Sequence, residues 1–172
     1  MHHEAKIVAT PFRGIRVEAD TPIAFDEVLS RLRKAMGNTS VPAIEALAKQ
    51  PISQAEYIDE IERRFVGPSG FMLFAEINHG GWLPKFGINR RTVRWILGNP
   101  LIAITMIRHD ITTGLFAPVE ILVTEKEGKS GTTITYVRPS SLMVIAENKA
   151  LLDAATLLDT KLDALVSKAS AA

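Results

Sequence analysis

Cysteine is absent from the 172-residue chain. This absence excludes disulfide bonds, a thiol nucleophile, and zinc or cluster sites that need thiolate ligands. An excess of charge is also missing, because 20 Lys and Arg oppose 19 Asp and Glu and leave a net charge of +1. Such a balance gives no general attraction to nucleic acid or to acidic membranes, so we expect neither as a partner.

Long hydrophobic runs are missing as well. No segment approaches the roughly 20 consecutive apolar residues that span a bilayer. The longest candidate, residues 95–107, is interrupted by the turn at 98–100. The N-terminal residues lack the hydrophobic core of a secretion signal, since Pro11 and Arg13 interrupt them. We therefore expect a cytoplasmic protein without a membrane partner.

What remains is an ordinary globular composition. Hydrophobic residues make up 47% of the chain and charged residues 23%, which argues against disorder. A chain of this length can bury a self-sufficient core. We predict one domain over residues 1–172.

Apolar periodicity in the first half predicts strands and capped helices. Residues 7–19 are expected to be extended, and residues 20–38 to form a helix capped by Thr21. Ser40 and Ser53 each precede a shorter segment with apolar residues at helical spacing. Ser53 and Glu56 have the spacing of a capping box. The same patterns predict strands at 71–78 and 92–97 and a helix that starts at Asn99 or Pro100. They also predict a hairpin over 118–139 and a helix over 149–168. This order predicts an α+β fold, with an antiparallel or mixed sheet and helices packed mainly on one face.

The helix that starts at Asn99 carries apolar residues on nearly all sides. That pattern is typical of a fully buried helix. Alternatively, Met106 and His109, three residues apart on one face, form the wall and the polar tip of a pocket. The spacing leaves both interpretations open.

The stretch "EINHGGWLP" places a carboxylate, an imidazole and an indole around a strand end. Histidine can act as acid, base or metal ligand, and two glycines allow close approach of a ligand. The alternative is a turn in which His79 caps the strand and Trp82 closes the core. Glu76, His79, His109 and Asp110 hold nitrogen and oxygen ligands, but their spacing matches no metal motif, so we predict no metal site.

A small basic cluster lies beside the two tryptophans. Its members are Lys85, Arg90, Arg91 and Arg94. Such a cluster could meet a phosphate or carboxylate ligand. It could equally be a solvated face with local acidic partners.

Three motifs together resemble a known family. "GFMLFAEINHGGWL", "ILGNPLIAITM" and "FAPVEILVTEKEG…TTITYVRPSSL" resemble, in that order, the family called domain of unknown function 302. The similarity is close over residues 71–142 and loose over 15–36. His79 matches the family pattern, as do the Gly-Asn-Pro turn at 98–100 and the Pro-led strand, whereas Asn78 replaces an Asp.

The resemblance implies a compact α+β fold that associates with itself, most simply as a homodimer. It also makes the helical stretch 38–68 an insertion relative to the minimal family form, which could cover one side of the domain or enlarge a pocket. The family has no general activity to carry over.

Our leading hypothesis is a small-molecule-binding domain with a pocket between the loop 78–82 and the helix that starts at Asn99. The hydrogen-bonding residues are predicted to be Asn78, His79 and Asn99. The apolar walls and an anion-pairing group are predicted to be Trp82, Met106, Tyr136 and Arg138. The alternatives are an enzyme that uses His79 in acid–base chemistry and a structural or protein-interaction domain. No cofactor is indicated by the sequence.

Overall fold

The computed structural model describes residues 5–172, and its centre is a six-stranded mixed sheet. The strands are β1 (Arg16–Thr21), β2 (Gly37–Asn38), β3 (Met72–Asn78), β4 (Thr92–Gly98), β5 (Val119–Glu125) and β6 (Thr132–Val137). Their order across the sheet is β1-β6-β5-β4-β3-β2. β2 runs parallel to β3, and every other neighbouring pair is antiparallel.

Helices connect and flank these strands. They are α1 (Phe25–Ala35), α2 (Val41–Ala48), α3 (Gln54–Phe65), α4 (Pro100–Ile107), α5 (Pro139–Met143) and α6 (Lys149–Ser170). Between them lie short 3-10 turns, of which His79–Gly81, Leu83–Phe86 and Ile111–Phe116 concern the site. The predicted α+β class and mixed sheet are confirmed.

Helix starts follow the predicted caps in three cases. The Ser40 side chain accepts a hydrogen bond from the Ala43 amide at the start of α2. Ser53 and Glu56 form a reciprocal capping box at α3. Asn99 caps α4 through the Leu101 amide. In each case a side-chain oxygen accepts from an amide that the helix itself leaves unpaired.

Two predicted boundaries in the N-terminal region are wrong. Thr21 belongs to β1, where it pairs with Thr132, and α1 begins four residues later at Phe25. The Thr21 hydroxyl accepts a hydrogen bond from the Ile23 amide at 3.2 Å and donates one to the Ser170 carbonyl at 2.8 Å. These contacts make Thr21 a link between the sheet and the end of α6. The predicted extended segment becomes a strand only at Arg16.

The main core lies between one face of the sheet and α1 and α6. Along β4 the side chains of Val93, Trp95 and Leu97 are buried in this core. Leu158 and Leu162 of α6 meet them from the helical layer, as the apolar stripe of that helix predicts. Burial of this apolar surface is the main force that holds helices and sheet together.

A second, smaller core holds the segment 38–68 against the edge of the sheet. Leu47 of α2, Ile61 of α3 and Met72 of β3 form its buried centre. Phe74 and Leu101 pack against this centre. The segment is therefore attached to the sheet by its own apolar cluster.

Helix α4 is only partly buried, although its composition is typical of a fully buried helix. Met106 is 1% exposed, but Ile104 on another side of the helix is 44% exposed. The helix packs against α6 and the following 3-10 turn and leaves one side uncovered.

No helix within the described residues is long and apolar enough to cross a membrane. The cytoplasmic location stays a prediction.

Candidate functional site

A wide groove lies over the face of the sheet opposite α1 and α6. Strand side chains alternate between faces, so the neighbours of the core residues point into this groove. Its floor is formed by Thr92, Arg94, Glu120, Leu122, Thr135 and Val137. The groove has a volume of about 990 Å³. We call it the open-face groove.

The strand register fixes the floor. Arg94 on β4 lies opposite Leu122 on β5, and Leu122 lies opposite Thr135 on β6. The Arg94 Nε donates to a Glu120 carboxylate oxygen at 2.9 Å. At one end of the floor the hydroxyls of Thr92 and Thr124 are 3.0 Å apart. Arg94 and Thr92 thus have polar partners of their own, and Leu122 and Val137 form the apolar surface of the floor.

One wall of the groove is the turn that follows β3. The Asn78 side chain accepts from the Gly81 amide at 3.0 Å and closes this turn. A Cβ at Gly80 would lie 3.0 Å from the Thr92 nitrogen, so glycine lets the turn sit directly against the start of β4 without displacing the backbone. This arrangement places His79 and Trp82 at the rim.

Aromatic rings form a row along that rim. Trp82 lies edge-on between His79, at 5.8 Å between ring centroids, and Phe86, at 6.0 Å. The indole is nevertheless 50% exposed. A large apolar ring held by two neighbours and half open to solvent can cover a ligand with little loss of conformational freedom.

The opposite wall is apolar. It consists of Leu115 and Phe116 before β5 and of Leu142 in α5. Phe12 packs edge-on against Phe116 at 6.0 Å and extends this wall outward.

His79 offers a hydrogen-bonding ring without a catalytic partner. Its neighbour is the Trp82 ring, and none of the hydrogen bonds or ion pairs among residues 5–172 uses its imidazole. Acid–base catalysis would need a second titratable group within reach. In the same part of the chain no three His, Asp or Glu side chains come close enough to hold a metal.

Tyr136 borders the groove, but its hydroxyl points to the helical layer. The phenol is buried and donates to the Asp163 carboxylate on α6. Burial, together with this carboxylate, raises the pKa of Tyr136 above its ordinary value. Arg138 lies next to the same carboxylate, with 3.9 Å between Arg138 Nη2 and Asp163 Oδ2. Both residues therefore serve the contact between β6 and α6, and Arg138 does not line the groove.

The predicted pocket between the loop 78–82 and the start of α4 does not form. β3 and β4 are antiparallel, with Asn78 opposite Val93 and Met72 opposite Gly98. His79 and Asn99 consequently lie at opposite ends of β3, about 20 Å apart from the rise per strand residue.

Structural contacts account for the remaining predicted residues. Asn99 is buried, caps α4 and donates to the Gly70 carbonyl at 2.9 Å. Met106 belongs to the core. Of the seven residues predicted as a site, the groove brings together His79, Trp82 and Tyr136.

The basic cluster separates into local ion pairs. Arg91 pairs with Asp26, Arg94 with Glu120, and the Arg90 Nε donates to the Glu125 carbonyl at 2.9 Å. The solvated-face interpretation therefore describes Arg90 and Arg91, while Arg94 contributes to the groove floor.

Sequence reasoning missed the floor of the groove. The alternation of Thr92, Arg94 and Ile96 with buried residues was available as a signal. It indicated a half-buried strand but could not indicate that side chains of four adjacent strands enclose a hollow.

Comparison with known proteins places this fold in a family. A family model described as "Domain of unknown function DUF302" matches residues 48–169. The chain belongs to the DUF302 family. The crystal structure of uncharacterized conserved protein DUF302 from Bacillus stearothermophilus is similar to this DUF302 domain, with a TM-score of 0.62 and 18% sequence identity. The similarity covers 90% of this chain and 98% of that chain, so the fold is shared. No curated protein matches the chain.

Proposed function

We propose that this DUF302 domain binds a small, largely apolar ligand in the open-face groove. The observation that carries the proposal is the groove itself. Its volume of about 990 Å³ is at the upper end of the range of ligand sites, and its walls are apolar with a few polar groups. The sheet face is uncovered and has apolar walls on both sides. A ligand that removes this surface from water lowers the free energy of the system.

Trp82 and His79 have distinct roles in this proposal. Trp82 supplies the exposed ring against which the ligand packs. His79 supplies a ring nitrogen that has no partner within the described residues and can donate to or accept from the ligand. Tyr136 borders the groove, but its side chain belongs to the core and its hydroxyl is engaged by Asp163, so it offers the ligand no hydrogen bond.

Binding of the dye anilinonaphthalene sulfonate tests the proposal. We expect saturable binding to the native domain and an affinity about tenfold lower in Trp82→Ala, because the dye loses a large packing surface. The matched control is Leu157→Ala, which removes an apolar side chain that is 66% exposed on α6 and outside the groove. Equal dye affinity in Trp82→Ala and the control would contradict the proposal.

Native mass spectrometry addresses the natural ligand. We expect a copurified small molecule in the native domain that is lost in His79→Ala, whose fold a far-UV spectrum checks. A copurified molecule retained unchanged in both His79→Ala and Trp82→Ala would place binding elsewhere.

Self-association is a second proposal, and a strand edge supports it. β2 pairs with Met72 and Leu73 of β3, and beyond them residues 75–78 have β4 as their one strand neighbour within the described chain. Such an edge can pair with a second copy. We expect a dimer by light scattering and a monomer for Ile77→Lys, whose native side chain is 37% exposed at this edge. A native chain that stays monomeric at every concentration would refute this.

A further inference from the structure

A second cavity adjoins the open-face groove. It is a slot of about 180 Å³ between α2, β3 and α4. Its walls include Val41 and Ile44 of α2, Phe74 of β3 and Ala103 of α4. Pro118 lines both the slot and the groove, so the two hollows are neighbours across this residue.

Local backbone features of the sheet produce the slot. The β3–β4 register shifts between Leu73 and Ala75, which leaves Phe74 as an extra residue in a bulge. At Gly98 a Cβ would lie 3.1 Å from both the Phe74 ring and the Pro118 Cβ. Glycine at this position therefore lets the ring and Pro118 approach each other and form one continuous apolar wall.

The slot presents almost nothing to a polar ligand. Asn99 lies in its wall, but its Oδ1 accepts from the Leu101 amide at 2.8 Å and its Nδ2 donates to the Gly70 carbonyl at 2.9 Å. Glu45 is exposed at the slot. A saturated hydrocarbon chain matches such walls, because it needs no hydrogen bonds.

The groove, by contrast, carries charged side chains. It is lined by Arg16, Arg94 and Glu120, of which Glu120 pairs with Arg94. Arg16 pairs with Glu18, but both side chains of that pair are at least half exposed, so the pair contributes little. An anionic group can therefore compete for Arg16.

We propose that groove and slot together hold one single-chain amphiphile with a carboxylate head. The head lies over the groove near Arg16, and the hydrocarbon chain passes Pro118 into the slot. The inference rests on the proposed function of the open-face groove and specifies its ligand class. It also gives the segment 38–68 a role, since α2 supplies one wall of the slot.

Displacement of bound anilinonaphthalene sulfonate by fatty acids of increasing length tests the inference. Octanoate, dodecanoate and hexadecanoate are compared below their micelle concentrations. We expect the affinity to rise about fourfold for each methylene that enters the slot. Dodecanol, which lacks the charge, is expected to bind at least tenfold more weakly than dodecanoate.

Two variants narrow the slot without touching the groove. Ala103→Leu fills it from α4, and Val41→Phe fills it from α2 at a position that is 46% exposed and therefore tolerant. We expect both to abolish the gain from dodecanoate to hexadecanoate and to leave octanoate binding unchanged. Thr105→Leu, on an exposed side of α4 outside the slot, is the matched control and should keep the full gain.

The outcomes separate this inference from the proposed function. If both slot variants keep the native chain-length series while every fatty acid still displaces the dye, the slot is not part of the site and the inference is wrong. Equal affinity for dodecanol and dodecanoate would overturn the carboxylate head. Failure of the dye itself to bind would instead overturn the proposed function of the groove.

Discussion

Asn99 illustrates how one buried amide can join two parts of a fold. Its oxygen caps α4 and its nitrogen donates to the carbonyl of Gly70, a residue with a φ of 85° in the turn before β3. Both hydrogen-bonding functions of the side chain are thus used within the protein. These two contacts fix the orientation of the side chain within the fold.

Replacement of Asn99 tests this structural role. We expect Asn99→Ala to lower the free energy of unfolding by about 1–2 kcal/mol, because the Leu101 amide and the Gly70 carbonyl both lose a partner. Asn99→Asp keeps the cap but places a carboxylate oxygen against the Gly70 carbonyl, so its effect should be at least as large. Urea unfolding measures both variants, and an unchanged midpoint in Asn99→Ala would contradict the assignment.

The sequence predicted that Asn99 caps α4 but could not predict the distance between Asn99 and His79. A cap depends on the few residues that follow it, and these are adjacent in the chain. The distance depends on the antiparallel pairing of β3 with β4, which is a property of the whole sheet.

Among the elements, α3 has the most complete start signal. The Ser53 hydroxyl accepts from the Glu56 amide at 3.2 Å, and the Glu56 carboxylate accepts from the Ser53 amide at 2.7 Å. These hydrogen bonds hold the pKa of Glu56 below its ordinary value. The helix carries Ile61, one of the three buried residues of the second core.

Removal of this cap is expected to loosen the segment 38–68 first. Ser53→Ala should cost about 1 kcal/mol, whereas Ser53→Asp, which keeps an acceptor, should stay close to the native protein. Amide hydrogen exchange measures the effect, with faster exchange expected in α3 than in α6. Uniform protection across both helices in Ser53→Ala would refute the prediction.

Elements with a cap and an apolar stripe were predictable, and elements defined by tertiary contacts were not. Ser40 and Ser53 mark helix starts correctly. Thr21 has the same chemistry and lies before a similar stripe, but pairing with Thr132 draws it into the sheet. Likewise, the composition of α4 indicated burial, while its actual exposure depends on which neighbours reach it.

For the whole molecule, the two tyrosines link stability to alkaline pH. Burial raises the pKa of Tyr57, and burial with the Asp163 hydrogen bond raises that of Tyr136, in each case above 10.0. Both phenols titrate near 10.0 when the chain unfolds. The contribution of the two tyrosines to stability is therefore fully present below pH 10.0. It is lost as the pH rises through their pKa values in the folded protein.

We expect the folding equilibrium constant to fall about tenfold per pH unit above 10.0 for each tyrosine that the fold holds protonated. Phenolate absorbance in native and urea-unfolded protein measures the titration. Tyr136→Phe should remove part of the loss of stability at alkaline pH and leave the part that is due to Tyr57. Native and unfolded titration curves that coincide would contradict the prediction.

The architecture of the whole molecule followed from the order of its elements, and the groove did not. Alternating strands and a long amphipathic helix predicted an α+β fold, which the structure and the DUF302 match confirm. The groove exists because α1 and α6 occupy one face of the sheet and the connecting turns rise only at the margins of the other. No local pattern encodes that division.

The alternation along β4 also has an evolutionary consequence. Val93, Trp95 and Leu97 are held by the core, so selection for stability acts on them. Their immediate neighbours Thr92 and Arg94 face the groove and can be exchanged at little cost to the fold. Changes at every second residue of a strand can thus alter the chemistry of the groove surface while the core residues between them stay the same.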